Sequence, residues 1–224
     1  MQLPEGRMVF ADYSISHEGD VIGSIKSRRV VRKWRQQEAV AVTDEMNIKV
    51  VSFWNNYSVY SLEKMILTDA GLVHYKGLSV EDGRRSSIEA NLTECSLAMR
   101  VEEDGECFED HLDRSLYDAS SEDAAARFIG SGKSVQALRV IDLDDFEVVE
   151  TQYRYEGEVE LRIVDRQFAS QVVSFRSNRK TGRQWLTADD TGTWLLKETG
   201  TDEDGQYSIT LTEYANRFDS RGEQ

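Results

Sequence analysis

Gln167–Ser177 (QFASQVVSFRS), Arg183–Ala188 (RQWLTA), Thr193–Thr199 (TWLLKET) and Gln206–Tyr214 (QYSITLTEY) read as four consecutive strands. Between them lie Lys180-Thr181-Gly182, Asp189-Asp190-Thr191-Gly192 and Asp202-Glu203-Asp204-Gly205. Each of these turn candidates ends in glycine, the residue that takes positive φ at least cost. In the last strand Tyr207, Ile209 and Leu211 alternate with Ser208, Thr210 and Thr212, the period of a strand with one covered face. A meander with one apolar face must bury that face, and the rest of the chain is read as its cover.

Working outward, Val9–His17 places Val9, Ala11, Tyr13 and Ile15 on one face, then turns at Glu18-Gly19-Asp20. Strands follow over Val21–Trp34, Glu38–Val51, Tyr57–Thr68, Leu72–Val80 and Arg84–Val101. The breaks between them include Trp54-Asn55-Asn56, Asp69-Ala70-Gly71 and Glu81-Asp82-Gly83, and Glu103-Asp104-Gly105 closes the run. Turn signals at about this spacing indicate an antiparallel meander, not βαβ units. The pattern changes at Cys107. Phe108–Gly130 reads as the one helical stretch, with Ser120 and Ser121 as N-cap candidates and Gly130 as the residue past its end. Strands resume over Val135–Ile141, Phe146–Glu156 and Glu158–Asp165.

The expectation is a mainly β fold: a highly curved antiparallel meander of about twelve strands, forming an incomplete barrel. It is read as one domain over 1–224, with N-terminal strands in 6–107, a helical segment in 108–130 and C-terminal strands in 135–214. In this reading the C-terminal meander is one end of a single sheet and the Val9–Arg28 hairpin is the other.

The chain has 224 residues, a formal net charge of −14 and 30% charged residues. So acidic a surface has no general attraction for nucleic acid. No apolar run reaches the roughly 18 residues a membrane-spanning helix needs. The N-terminal MQLPEGRMVF lacks the basic and apolar regions of a signal peptide, which points to the cytoplasm or to a mature form. Cys95 and Cys107 are either a disulfide or two free thiols.

Chemical motifs are sparse. Gly132-Lys133-Ser134 imitates the end of a phosphate-binding loop, but Arg127 stands where that loop needs glycine. Asp202 and Asp204 put Gly205 at the wrong position for an EF-hand. His17, His74 and His111 have no partner at metal-ligand spacing, and no G-x-S-x-G elbow occurs. No catalytic residue, metal site or cofactor is expected, and the protein is read as a non-enzyme. Two features remain. The basic stretch Lys26–Arg35 is either an anion- or partner-binding strip or an edge strand guarded against pairing. The strand aromatics Tyr57, Tyr60, Tyr153, Tyr155, Trp185 and Trp194 either line a cavity or fill a core.

The hairpin Tyr13–Gly23 (YSISHEGDVIG) and the pair Gln184–Lys197 (QWLTADDTGTWLLK), with Tyr57–Gly71 between them, resemble bacterial envelope proteins of the DUF3108-like and DUF6134-like families. These are similar to the LolA/LolB-type lipoprotein carriers. The resemblance implies a curved, incompletely closed barrel with a short helix over its concave face, a periplasmic home, and an apolar groove for acyl chains. This sequence departs from such carriers in its short acidic helical segment, and it shows no lipobox cysteine.

Together these readings lead to a non-enzymatic binding protein with an apolar groove for a lipid or other hydrophobic ligand. Tyr57, Tyr60, Trp185 and Trp194 are the expected lining, with Arg28, Arg29 and Arg32 near an anionic head. The alternative is a structural or assembly protein acting through an exposed strand edge, with an envelope protein as partner.

Overall fold

The computed structural model describes residues 6–51, 56–93, 95–143, 146–189 and 191–218. Its strands are β1 (Arg7–His17), β2 (Asp20–Trp34), β3 (Gln37–Val51), β4 (Asn56–Thr68), β5 (Gly71–Glu81), β6 (Arg84–Leu92), β7 (Ser96–Glu103) and β8 (Glu106–Asp113). A 3₁₀ turn (Arg114–Leu116), the short β9 (Ala119–Ser120) and the helix α1 (Ala124–Gly130) come next. Then follow β10 (Val135–Asp142), β11 (Glu147–Ile163), β12 (Arg166–Arg176), β13 (Thr181–Asp189), β14 (Gly192–Thr201) and β15 (Gln206–Phe218).

All fifteen strands form one sheet, ordered β8-β7-β6-β5-β4-β3-β2-β1-β15-β14-β13-β12-β11-β10-β9. Every neighbouring pair is antiparallel except β9 with β10. Three hairpins turn on a residue followed by glycine, both at positive φ: Glu18-Gly19 (50° and 92°), Asp82-Gly83 (47° and 87°) and Asp104-Gly105 (50° and 84°). These are two-residue loops whose twist matches that of the strands they join. The loop between β2 and β3 has the same form on Arg35 and Gln36, with φ of 47° and 70° and no glycine to announce it.

The order corrects the sequence reading in two ways. The N-terminal hairpin and the C-terminal meander are not opposite ends of the sheet, because β1 pairs with β15 from Arg7↔Phe218 to His17↔Tyr207. The true edges are β8 and β9, separated in the chain by only the 114–118 segment. Tyr117 and Ala119 are buried, and Tyr117 packs among Leu72, Tyr75, Leu97 and Ile141. The sheet is thus drawn round by side-chain packing near its edges, where no ladder joins β8 to β9. The basic stretch also fails as an edge strand, since β2 is paired on both sides, by β1 and β3.

Most of the expected 108–130 helix is not helical. Its first part is β8, paired with β7 from Glu103↔Glu106 to Ser96↔Asp113. Only Ala124–Gly130 is α-helix; it starts at Asp123 rather than at a serine, and Ser131 follows its last residue. The expected long sixth strand is split into β6 and β7. The two strands expected over 146–165 are the single β11, which carries an irregularity between Tyr155 and Gly157. Gly182 is not a turn residue either: it lies in β13 opposite Phe175, and a Cβ there would stand 2.6 Å from the Phe175 ring. Trp54, Asn55 and Asp190, expected at turns, lie outside the described residues.

The core has three parts. One joins Val42, Met65, Tyr75, Ala90 and Met99 of β3–β7 to Tyr117 and Ile141. A second seats Ala124 and Phe128 of α1 on Tyr153, Val173, Phe175 and Leu186. The third packs Val9, Ala11 and Tyr13 with Trp194, Leu196 and Leu211.

Candidate functional site at the mouth of the sheet

Along β2, Ser27, Arg29 and Val31 share one face, and Arg28 and Arg32 share the other, because neighbouring strand residues point oppositely. The first face continues across the sheet in rows. Arg29 lies opposite Val42, then Met65, then Tyr75. Ser27 lies opposite Asp44, then Glu63, then Gly77. Arg29 borders a cavity of about 420 Å³, walled by Glu38, Ala39 and Val40 of β3, Leu67–Asp69 and Gly71 of the β4–β5 connection, the α1 region and Thr191–Thr193.

Each wall is fixed by local chemistry. The Arg127 guanidinium donates to the Asp123 carboxylate and to the carbonyl of Ala70, clamping α1 to the β4–β5 turn. Asp123 is buried and also accepts from the Ser120 backbone N–H and hydroxyl, each at 2.8 Å. Gly71 sits beneath this clamp at φ 97°, where a side chain would be strained and would run into Arg127 and Asp123. The opposite wall is held by Asp189. It accepts from Thr191 N–H at 2.7 Å, Thr191 Oγ1 at 2.6 Å, Tyr214 Oη at 2.7 Å and Trp194 Nε1 at 3.1 Å. Burial works to raise the Asp189 carboxyl's pKa, but the hydrogen bonds from Thr191, Tyr214 and Trp194 outweigh it and hold the group below its ordinary range.

Arg29 forms part of the wall between these supports. Its Nη1 donates to the Thr193 carbonyl at 2.6 Å, and its guanidinium lies 3.9 Å from the centre of the Trp194 ring. Its Nε–H is buried with no hydrogen-bond partner among the described residues. Deeper on the same face, the Asp44 Oδ1 is likewise buried and unpartnered. Burial pushes the Asp44 carboxyl above its ordinary range, against the pull of Ser27 and Arg29. Neither Asp44 nor Glu63 was singled out from the sequence, although each leaves a readable signal. Asp44 interrupts Val40, Val42, Met46 and Ile48, and Glu63 interrupts Tyr57, Val59, Met65 and Leu67, each in an otherwise largely apolar alternation.

Of the expected site residues, only Arg29 borders this cavity. Arg28 faces the other way, donating to Met8 Sδ at 3.1 Å beside the Phe10 ring. Arg32 lies over Trp34. Trp194 is 1% exposed and belongs to the core. Trp185 is half-buried between Arg183 and Lys197. Tyr57 stands near the start of β4, 36% exposed, and Tyr60 is on the face opposite Ser61. Cys95 and Cys107 are free and exposed. They sit at opposite ends of the β7–β8 hairpin, with Cys95 beside Arg114 and Cys107 opposite Glu102. Seven residues of strand put them roughly 20 Å apart, whereas a disulfide needs Cα atoms within about 7 Å. The disulfide alternative is corrected to two thiols.

A wider groove of about 630 Å³ runs by Ser16, Thr181, Gly182, Gly200 and Tyr207. The one charged side chain on its wall, Arg183, is paired with Glu156 at 2.8 Å. No group of three or more potential metal ligands occurs among the described residues.

No family model and no curated protein matches the chain. Among solved structures, it is similar to a β-barrel-like protein of domain of unknown function DUF1849 from Brucella abortus. The TM-score is 0.65 at 10% identity, covering 95% of this chain and 98% of that one. The fold is β-barrel-like. The likeness reaches no further: it supports a barrel-like architecture, but not the DUF3108-like, DUF6134-like or LolA-like assignment that the short motifs implied. No helix among the described residues is long and apolar enough to cross a membrane.

Proposed function

We propose that this is a non-enzymatic binding protein whose ligand enters the cavity between α1, the β4–β5 turn and the β13–β14 hairpin. The observation that carries the reading is Arg29. A guanidinium is a strong donor to carboxylates and other accepting groups, and this one borders a cavity of ligand size. Val40, Leu67 and Ala126 give the same cavity an apolar wall. The supported ligand is therefore small and amphipathic, with an accepting group at Arg29. It is shorter than the chains of a lipid carrier, because three core clusters occupy so much of the interior. A periplasmic home belongs to this proposal and rests on the sequence resemblance alone.

Native mass spectrometry of protein purified from its own host, with displacement of a fluorescent short-chain fatty-acid probe, tests the reading. One retained small molecule, or one saturable probe site per chain, is expected. A ligand-free spectrum with no saturable probe binding contradicts it.

A second reading, docking by strand addition, is favoured by β8. This edge strand is paired only with β7 and leaves Phe108 56% exposed. Glu106, Glu109, Asp110 and Asp113 along it also serve as the charges that guard an edge. Cross-linking that recovers a stoichiometric partner through β8, without small-molecule binding, favours this second reading.

A further inference from the structure

We propose that the ligand is a zwitterion whose anionic and cationic ends are separated by a short apolar spacer, of the class of ω-amino acids and short peptides. The inference rests on the ligand-binding reading above and names the ligand's chemistry. The residues bordering the cavity include two guanidiniums, Arg29 and Arg127, and four carboxylates, Glu38, Asp69, Glu122 and Asp123. Arg127 and Asp123 are spent on each other. At the two ends of the remaining lining stand Arg29 and the exposed carboxylates of Glu38 and Asp69.

These charges are separated in space. Arg29 lies opposite Val42, whereas Glu38 lies opposite Lys33, four residues further along the same ladder. At the rise of a strand this is about 13 Å between backbone positions. Glu38 and Asp69 are exposed, while Arg29 is half-buried, so the acidic groups form the rim and the cation stands deeper. Lys33, the cross-strand neighbour of Glu38, is not among the bordering residues. Val40 and Leu67, cross-strand partners, form the wall between the two charged regions with Ala126 facing the same space.

An anion alone would have to pass and then sit beneath a negative rim. A cation alone would meet the rim and make no use of the Arg29 guanidinium that borders the cavity. A carboxylate at Arg29, an apolar stretch along Val40 and Leu67, and an ammonium between Glu38 and Asp69 satisfy all three parts. An α-amino acid is too short to span them.

Three matched probes, octanoate, octylammonium and 8-aminooctanoate, separate the possibilities when titrated calorimetrically into the full chain at neutral pH. The expected result is that 8-aminooctanoate binds at least tenfold more tightly than either of the others. The double variant E38Q/D69N, both positions exposed, is expected to reduce 8-aminooctanoate to the affinity of octanoate without weakening octanoate. Arg29→Gln is expected to weaken both carboxylates. Octanoate binding as tightly as 8-aminooctanoate overturns the zwitterion and leaves the ligand-binding reading standing. Octylammonium binding most tightly overturns the role of Arg29. No binding of any probe overturns this inference together with the reading beneath it.

Discussion

Asp44 shows how a single side chain departs from the plan of its strand. On β3 it stands in register with Val42 and Met46, and its cross-strand partner on β4 is another acid, Glu63. Burial sets a desolvation cost on the ionised form, and it outweighs the pull of Ser27 and Arg29 toward that form. The result is a raised pKa in the folded protein. Its consequence for stability has a definite sign. Where the folded pKa of a carboxyl exceeds its unfolded value, the native state holds the proton more tightly, and stability falls as pH rises through that window. Asp44→Asn keeps a polar partner for Ser27 without the ionisation. Its thermal midpoint, measured by circular dichroism, should gain on the wild type as pH rises from 4 to 8, and the gain should vanish at the acid end. A midpoint difference that is flat across this range would show that Asp44 does not titrate with folding. Arg29 is the counterpart on the neighbouring strand, and its guanidinium borders the cavity in which the ligand is proposed to sit.

The elements were legible where local chemistry decides them. Glu18-Gly19, Asp82-Gly83 and Asp104-Gly105 need positive φ at consecutive residues, and the sequence announces this with glycine. The alternation of Val9, Ala11, Tyr13 and Ile15 was equally plain, and all four are buried. The segment after Cys107 was misread because its side chains are exposed on both faces. An edge strand such as β8, with Phe108 and Glu109 both open to water, carries no period-two signal. The helix was overextended for a related reason: Ala124–Ala126 signals helix, but the preceding residues are fixed by partners distant in sequence. Asp118, for example, is bound to Arg139 across 21 residues, which holds its carboxyl below the ordinary range. The position of the β7–β8 hairpin also settles the cysteines. A thiol titration of the native protein with a chromogenic disulfide should count two reactive groups, with the thermal midpoint unchanged by reductant. A count of zero that rises to two only after reduction would contradict the placement of Cys95 and Cys107 at opposite ends of that hairpin.

At the scale of the molecule, curvature and incompleteness were expected, and the fifteen-stranded barrel-like sheet bears them out. The pairing of consecutive strands as a meander was legible, but the junction of its two runs was not. The pairing of β1 with β15 links residues about 200 positions apart, and nothing in the alternation of either strand selects the other as its neighbour. The same limit hid the site. Glu38, Asp69, Arg127 and Thr193 come from separate elements, and only the closure of the sheet gathers them around Arg29. Of the four aromatic residues expected as lining, Trp194 was taken instead by the core, where its ring meets both Arg29 and Tyr214.

The central claim is that this cavity holds a ligand. The most direct test is calorimetric titration of octanoate into the wild-type chain and into Ala126→Phe, a change that puts a ring into the cavity from α1. The account predicts one site on the wild type and at least a tenfold loss of affinity in the variant, with the far-ultraviolet circular dichroism of the two proteins superimposable. Octanoate binding that survives the filled cavity unchanged, or its absence from the wild type, would contradict the account.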